Sequence, residues 1–103
     1  DAACRFLPEL EKPVAVYAGS DVSAIGVLWA TARLGLRVPD QVRIVGHGDT
    51  PEIGITVPRL TSLGPIDHDF SGAADLMASR LANPGLPGRH VVEPWRFSPR
   101  EST

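Results

Sequence analysis

Apolar residues along this chain fall into two kinds of cluster: short continuous runs, and longer stretches in which they return every three or four positions. Pro13-Val14-Ala15-Val16-Tyr17-Ala18 is a run of the first kind, partly β-branched and too short for a helix. Such a run predicts a strand covered on both faces, the usual condition of a parallel sheet. Helical spacing starts directly behind it. Val22, Ile25, Leu28, Trp29 and Ala32 recur at helical intervals, and Ser20 or Asp21 stands where a side-chain oxygen can cap the free N–H groups. Gly35 sits where a left-handed C-terminal cap belongs, and Pro39 stops continuation. Val42-Arg43-Ile44-Val45-Gly46 repeats the strand pattern, so residues 13–46 predict a βαβ unit with a right-handed crossover.

The flanks are less regular. Residues 2–11 carry Phe6, Leu7 and Leu10 loosely on one side, a short helix that Pro8 weakens. After an irregular stretch from His47 to Pro58, Leu60-Thr61-Ser62-Leu63 reads as a short strand. Gly64-Pro65 predicts the start of a long helix, because proline suits the first helical position. Asp67 and Asp69 would then occupy its first turns, at the positive end of the dipole. Ile66, Phe70, Ala73, Met77 and Leu81 would form its buried stripe. Residues 83–88 end that helix, 91–97 make a final strand, and 98–103 read as a polar tail.

Composition narrows the function classes. The 103 residues make one domain or part of one, and 43% hydrophobic with 21% charged is ordinary for a globular protein. Ten Lys and Arg are scattered among twelve acids for a net charge of −2, which gives no cationic patch for phosphates. Cys4 stands alone, so no internal disulfide forms, and it reads as a semi-buried cysteine rather than a reactive thiol. No apolar run approaches a membrane span, and the first residues, from Asp1 to Cys4, are not a signal peptide.

In an open parallel sheet, ligands bind outside the carboxyl ends of the strands. Two such ends are Gly19-Ser20-Asp21 and His47-Gly48-Asp49-Thr50. Each combines glycine, which lets a backbone come close, with side chains that bond hydroxyls. Neighbouring strands lie about 4.8 Å apart, so adjacent strands would bring Ser20, Asp21, His47 and Asp49 within reach of one small molecule. Each also has a structural reading: Asp21 as a helix cap, Asp49 as a turn organiser, His47 as a packed residue. Trp29 and Trp95 read as core or interface residues rather than sugar-stacking platforms.

Signals for catalysis are missing. Gly46-His47-Gly48 is no phosphate loop, and neither GxSxG, HExxH nor paired cysteines occur. Asp67-His68-Asp69 point apart on a helix and read as a solvated helix start, not as metal ligands. No catalytic residue, metal or cofactor is therefore assigned.

Several elements, taken in order, resemble the LacI/GalR family of bacterial regulators. Residues 13–21 followed by Ala24-Ile25-Gly26 are similar to its strand ending in Ala-x-Asn-Asp, then Ala-x-Gly. Leu34 to Gly46, with Val38-Pro39-Asp40-Gln41-Val42, resembles its Gly-Leu-x-Val-Pro-x-Asp segment. Pro58-Arg59-Leu60-Thr61-Ser62-Leu63 resembles Pro-x-Leu-Thr-Thr-Val, and Arg100-Glu101-Ser102-Thr103 its C-terminal Arg-Glu-Ser.

The resemblance implies an α/β fold, three-layered, with a mostly parallel sheet and flanking helices: the C-terminal lobe of a periplasmic-binding-protein-like core. Residues 1–103 would be a single partial domain, with the DNA-binding head absent. A sugar-like or atypical effector would bind between two lobes and alter operator affinity, through contacts from Ser20, Asp21, His47, Gly48, Asp49 and Pro65. The protein would be a cytoplasmic homodimer that touches operator DNA only through its missing N-terminal domain. The dimer contact would involve Ile25, Leu28, Trp29, Ile53, Ile55 and Thr56, and Ile53 to Val57 is apolar for an irregular stretch. The alternative is that these residues cover the lobe's own core.

The departures bear on the ligand. Ser20 replaces the family's Asn, Gly48 replaces the first acid of its Asp-Asp pair, and the stretch between Ser62 and Pro65 is one residue shorter. Fewer hydroxyl acceptors imply an effector less polyhydroxylated than a common hexose, or weakened sensing. Solute receptors that feed uptake transporters share the fold, but the Val-Pro-x-Asp and Arg-Glu-Ser elements favour the regulator.

Overall fold

The computed structural model describes residues 2–103; Asp1 lies outside them. Helix α1 (Ala2–Phe6) runs into a 3-10 turn at Leu7–Glu9, where Pro8 ends it. Strand β1 (Val14–Tyr17), helix α2 (Asp21–Arg33) and strand β2 (Val42–His47) form the βαβ unit that the pattern predicts. A 3-10 turn at Pro51–Gly54 precedes β3 (Thr61–Pro65), α3 (Ser71–Ala82) and β4 (Trp95–Ser98). The sheet order is β1-β2-β3-β4, with β4 antiparallel and the rest parallel. The α/β class, with an open, mostly parallel sheet and flanking helices, is as the sequence implies.

Helix α2 ends in a Schellman motif. Gly35 adopts φ +66°, the Leu36 N–H reaches the Thr31 carbonyl at 2.9 Å, and the Gly35 N–H reaches Ala32 at 3.2 Å. Its buried face differs from the predicted stripe. Asp21, Ala24, Leu28, Ala30 and Thr31 face inward, while Val22 and Trp29 are 78% and 67% exposed. The cause is a close helix–sheet approach. A side chain at Gly46 would meet the Asp21 carboxylate and the Ala24 methyl, so the first turns of α2 lie close on the sheet with Asp21 and Ala24 inward and Val22 outward. Leu28 is the large apolar residue turned in further along.

The core consists of Leu7, Leu28, Val42, Ile44, Ile53 and Leu60, with Cys4 half-buried against it. Helices cover the strands on this side only. On the opposite face the C-terminal segment covers Thr61, but Ala15, Tyr17, Arg43, Trp95 and Phe97 are exposed. The expectation of β1 covered on both faces is therefore corrected: no described helix lies over it there.

Gly64-Pro65 does not open a helix. It closes β3, and α3 begins six residues later, preceded by Asp69, which accepts from the Ser71 N–H at 2.9 Å. A Cβ on Gly64 would lie 2.6 Å from the Gly48 carbonyl oxygen, so the strand continues where only glycine fits. Pro65 lies beyond the last β2–β3 pair, His47 with Leu63, and its missing N–H removes no bond from that ladder. The predicted buried stripe is exposed throughout: α3 contains no buried residue, and Ile66, Phe70, Met77 and Leu81 range from 52% to 76% exposed. The final strand covers Trp95–Ser98 rather than 91–97.

The polar tail is built in. Ser102 is fully buried; its carbonyl accepts from the Ile44 N–H at 2.9 Å, and its hydroxyl donates to the Ile44 carbonyl at 2.6 Å. The same hydroxyl accepts from the Thr61 N–H at 2.8 Å. β2–β3 pairing begins only at Val45 and Thr61, so Ser102 supplies the backbone partners that Ile44 would otherwise lack.

Candidate functional site

Three carboxyl ends line one edge of the sheet: Tyr17 to Ser20, His47 to Asp49, and Leu63 to Pro65. Ser20 caps α2. Its extended backbone frees Oγ to accept the Ser23 N–H at 3.1 Å. Asp21 therefore does something else. Its carboxylate turns inward, 2% exposed, accepting the Thr50 N–H at 2.7 Å through one oxygen and the Ser62 hydroxyl at 2.7 Å through the other. One side chain thus fastens the loops after β1 and β2 to strand β3. Gly46 and Gly48 make room for it, Gly48 at φ +125°.

Asp49 is a second clamp. It occupies the left-handed region at φ +54°, which short polar residues tolerate. Its oxygens accept the Arg100 guanidinium at 2.6 Å and the Ser98 hydroxyl at 2.8 Å, and its N–H donates to Ser62 at 3.1 Å. Burial alone would raise its pKa. The hydrogen bonds from Arg100 and Ser98, with the Arg100 charge, more than offset this and hold the carboxyl below its ordinary value. Arg100 also donates to the Leu60 carbonyl at 2.9 Å, so the C-terminal segment sets the shape of the Asp49 loop.

The opposite side of the edge is aromatic. His47 Nδ1 lies 2.5 Å from the Tyr17 hydroxyl, and the His47 ring packs 4.6 Å from that of Trp95 at 44°. Tyr17 is 60% and Trp95 43% exposed, so Trp95 is no core residue. Pro65 pairs with Trp95 in the β3–β4 register and is half-buried. The Gly48 N–H donates to the Leu63 carbonyl at 2.8 Å. Of the six expected effector contacts, Asp21 is buried and Ser20, His47, Gly48, Asp49 and Pro65 are half-buried. Asp21 and Asp49 lie at the same edge but are engaged internally.

The six expected interface residues divide. Ile53 is fully buried and Leu28 7% exposed, so both belong chiefly to the lobe's interior, because the 51–54 turn folds back over the core. Ile25 is half-buried. Trp29 and Thr56 line one open groove of about 220 Å³ with Leu36, Val38, Val57 and Pro58. Ile55 and Val57 beside it are 84% and 91% exposed.

Sequence reasoning missed Ser62, Ser98 and Arg100 as the residues that hold the two acids. A serine within the short β3 run was the available signal for Ser62, since a polar side chain in a buried strand needs a partner. Ser98 and Arg100 meet Asp49 from far along the chain, which no local pattern encodes. Among the described residues, no group of three or more His, Cys, Asp or Glu could hold a metal ion, and no helix is long and apolar enough to cross a membrane.

Comparison with known proteins agrees with this geometry. The family described as periplasmic binding protein-like domain matches residues 2–103. Catabolite control protein A of Priestia megaterium is 31% identical over 104 residues, covering 100% of this chain and 31% of that protein. A LacI family transcriptional regulator from Mycobacterium smegmatis superposes with a TM-score of 0.80 at 31% identity, over 100% of this chain and 41% of that one. Another, from Arthrobacter and in complex with lactose, gives 0.82 at 28% identity, over 99% and 39%. The chain spans about a third of the length of the relatives it matches. It belongs to the periplasmic binding protein-like domain family, among the core regions of LacI/GalR-type regulators.

Proposed function

We propose that this chain is the C-terminal lobe of the effector-sensing and dimerisation region of a LacI-type transcription regulator acting in the bacterial cytoplasm. A small molecule binds between this lobe and a second one, the relative lobe orientation changes, and operator affinity changes with it. Operator contact belongs to a separate N-terminal domain, in keeping with the scattered cations here. The observation that carries the reading is the buried Asp21 carboxylate, which joins three strand ends into one rigid edge. Coupling between sites needs two discrete arrangements of a structure that does not simply deform, and a clamped edge supports that. Ser20, His47, Gly48 and Pro65 offer the effector surface, with Asp21 and Asp49 holding the loops.

The test uses the full-length protein. DNA fragments it retains from its own genome are identified first, and their affinity is then measured with and without small-molecule panels. A ligand-dependent change in affinity is the expected result. A protein that is exported and retains no DNA would instead be a solute receptor.

The homodimer reading rests on the Trp29–Thr56 groove and its exposed apolar neighbours, a patch of the kind that marks interfaces. Replacing Trp29 by Glu is expected to shift full-length protein from dimer to monomer in sedimentation. An unchanged dimer would remove this groove from the interface.

A further inference from the structure

The carboxyl edge presents two unlike sides. On the α2 side, both acids are engaged: Asp21 by Thr50 and Ser62, Asp49 by Arg100 and Ser98. Each oxygen keeps a second lone pair, but Asp21 is 2% and the Asp49 side chain 9% exposed, so little of either carboxylate is open to a ligand hydroxyl. On the other side lie Tyr17, His47 and Trp95, and the register puts them on one face: Tyr17 pairs with Val45, His47 with Leu63, and Trp95 with Pro65. The side chains meet as that register requires. The Tyr17 hydroxyl holds the His47 ring, which rests against Trp95. Beyond Trp95 is a hollow of about 60 Å³ bordered by Pro65, Phe70 and the acids Asp67, Asp69 and Glu93, room for one small polar substituent on the ring.

We infer that the effector presents a flat, hydroxyl-poor ring, and that this ring stacks on Trp95 and His47. The inference rests on the effector-sensing reading and names the ligand class of the same edge. Parallel sheets are covered by other elements on both faces, but the carboxyl ends of the strands are where that covering leaves room for ligands. Trp95 stands at that edge of the sheet, His47 and Phe97 share the next level through their common partner Leu63, and Ala15 and Arg43 lie further down the same face. A ring held by stacking needs few hydroxyl acceptors, which agrees with Gly48 lacking a side chain and Asp49 being tied back. Tyr17 is a positioning residue, fixing the His47 plane against which the ring lies.

The experiment titrates full-length protein with adenine, uracil and nicotinamide, and in parallel with D-glucose, D-ribose and lactose, by calorimetry. One of the flat rings is expected to bind saturably and more tightly than any of the sugars. Trp95→Leu, which keeps apolar bulk but removes the aromatic face, is expected to weaken that binding about tenfold or more. Trp95→Phe should keep it within about threefold, which separates stacking from a folding defect. A sugar that binds most tightly, with an affinity indifferent to Trp95→Leu, overturns the flat-ring inference and leaves the sensing reading intact. A flat ring that binds equally well to Trp95→Leu also overturns it, and Trp95 is then a surface covered by the rest of the protein. Binding of neither class overturns the inference and, with unchanged DNA affinity, the sensing reading too.

Discussion

The lobe formed by β1, α2, β2 and β3 and the arm formed by α3 and residues 83–94 have similar apolar content but opposite fates. In the lobe, Val42, Ile44, Ile53 and Leu60 are fully buried. In the arm, α3 has no buried residue, and Met77 and Leu81 are 63% and 76% exposed. The difference shows in the molecule's shape: 56 × 23 × 17 Å, with a radius of gyration of 17.9 Å, where a compact chain of this length has about 13 Å. An amphipathic pattern specifies that a face is to be covered, not which residues cover it. In the lobe the cover is a few residues away along the chain; for α3 no described element supplies it.

The largest effects should follow that division. Ile53→Ala opens a cavity in a closed core and is expected to cost about 2–5 kcal/mol in urea unfolding of this chain. Leu81→Ala, on the arm, should change the same midpoint by less than about 0.5 kcal/mol. Repeated in the full-length protein, Leu81→Ala sharpens the comparison. A cost there of about 2 kcal/mol or more means that the longer chain covers α3; an unchanged midpoint means that the arm is bare in both.

Within the lobe, Gly46→Ala tests how closely α2 lies on the sheet. The added methyl would meet the Asp21 carboxylate, and overpacking of this kind costs about 1–3 kcal/mol. The same substitution at Gly72 on the arm has open space around it and should be neutral or slightly stabilising through helix propensity. Equal effects at both glycines would mean that the helix–sheet contact relaxes readily.

What was legible in the sequence follows the same line. The βαβ unit, the Ser20 cap and the Gly35 terminus depend on neighbours within a few residues, and local spacing encodes them. Hydrophobicity favours Val22 and Trp29 for the inward face of α2, whereas the close approach at Gly46 puts Asp21 and Ala24 there and leaves Val22 outside. The Gly64-Pro65 helix start failed for a related reason. The Gly48 backbone, distant in sequence, keeps Gly64 in the strand. The edge loops were located correctly, yet the partners of Asp21 and Asp49 were not, since Ser62, Ser98 and Arg100 reach them across strands. Arg100-Glu101-Ser102 was visible only through family resemblance, and its contacts show why a tail of polar residues can be structural.

Ser102→Ala addresses that segment directly. It leaves the buried Thr61 N–H and Ile44 carbonyl without the hydroxyl that serves both, a loss of about 1–3 kcal/mol by unfolding. Ser79, on the arm, bonds only to its own helix at Leu76, so Ser79→Ala should fall within about 0.5 kcal/mol. Comparable losses would mean that the tail is not the latch its contacts describe.

The smallest effect concerns acid, and it sets Asp49 in the lobe against Asp69 before the arm helix. Both carboxyls are held below their ordinary value: Asp49 by Arg100 and Ser98 against the opposing influence of burial, Asp69 by the Ser71 N–H and hydroxyl. A carboxyl whose folded pKa is depressed binds fewer protons folded than unfolded. Its contribution is therefore complete above the unfolded value near about 3.9 and is lost as pH falls through the folded value. Only Asp49 is enclosed, its side chain 9% exposed beside Arg100, so its proton linkage is the one that global unfolding should report. Urea midpoints taken from pH 5 downwards are expected to fall below about pH 4, and to fall less steeply in Asp49→Asn. Asp69→Asn should leave that slope unchanged and show only in the helical signal of α3. If Asp69→Asn flattens the slope as much as Asp49→Asn does, the arm unfolds with the lobe as one cooperative unit, and the division between the two regions is a matter of burial alone.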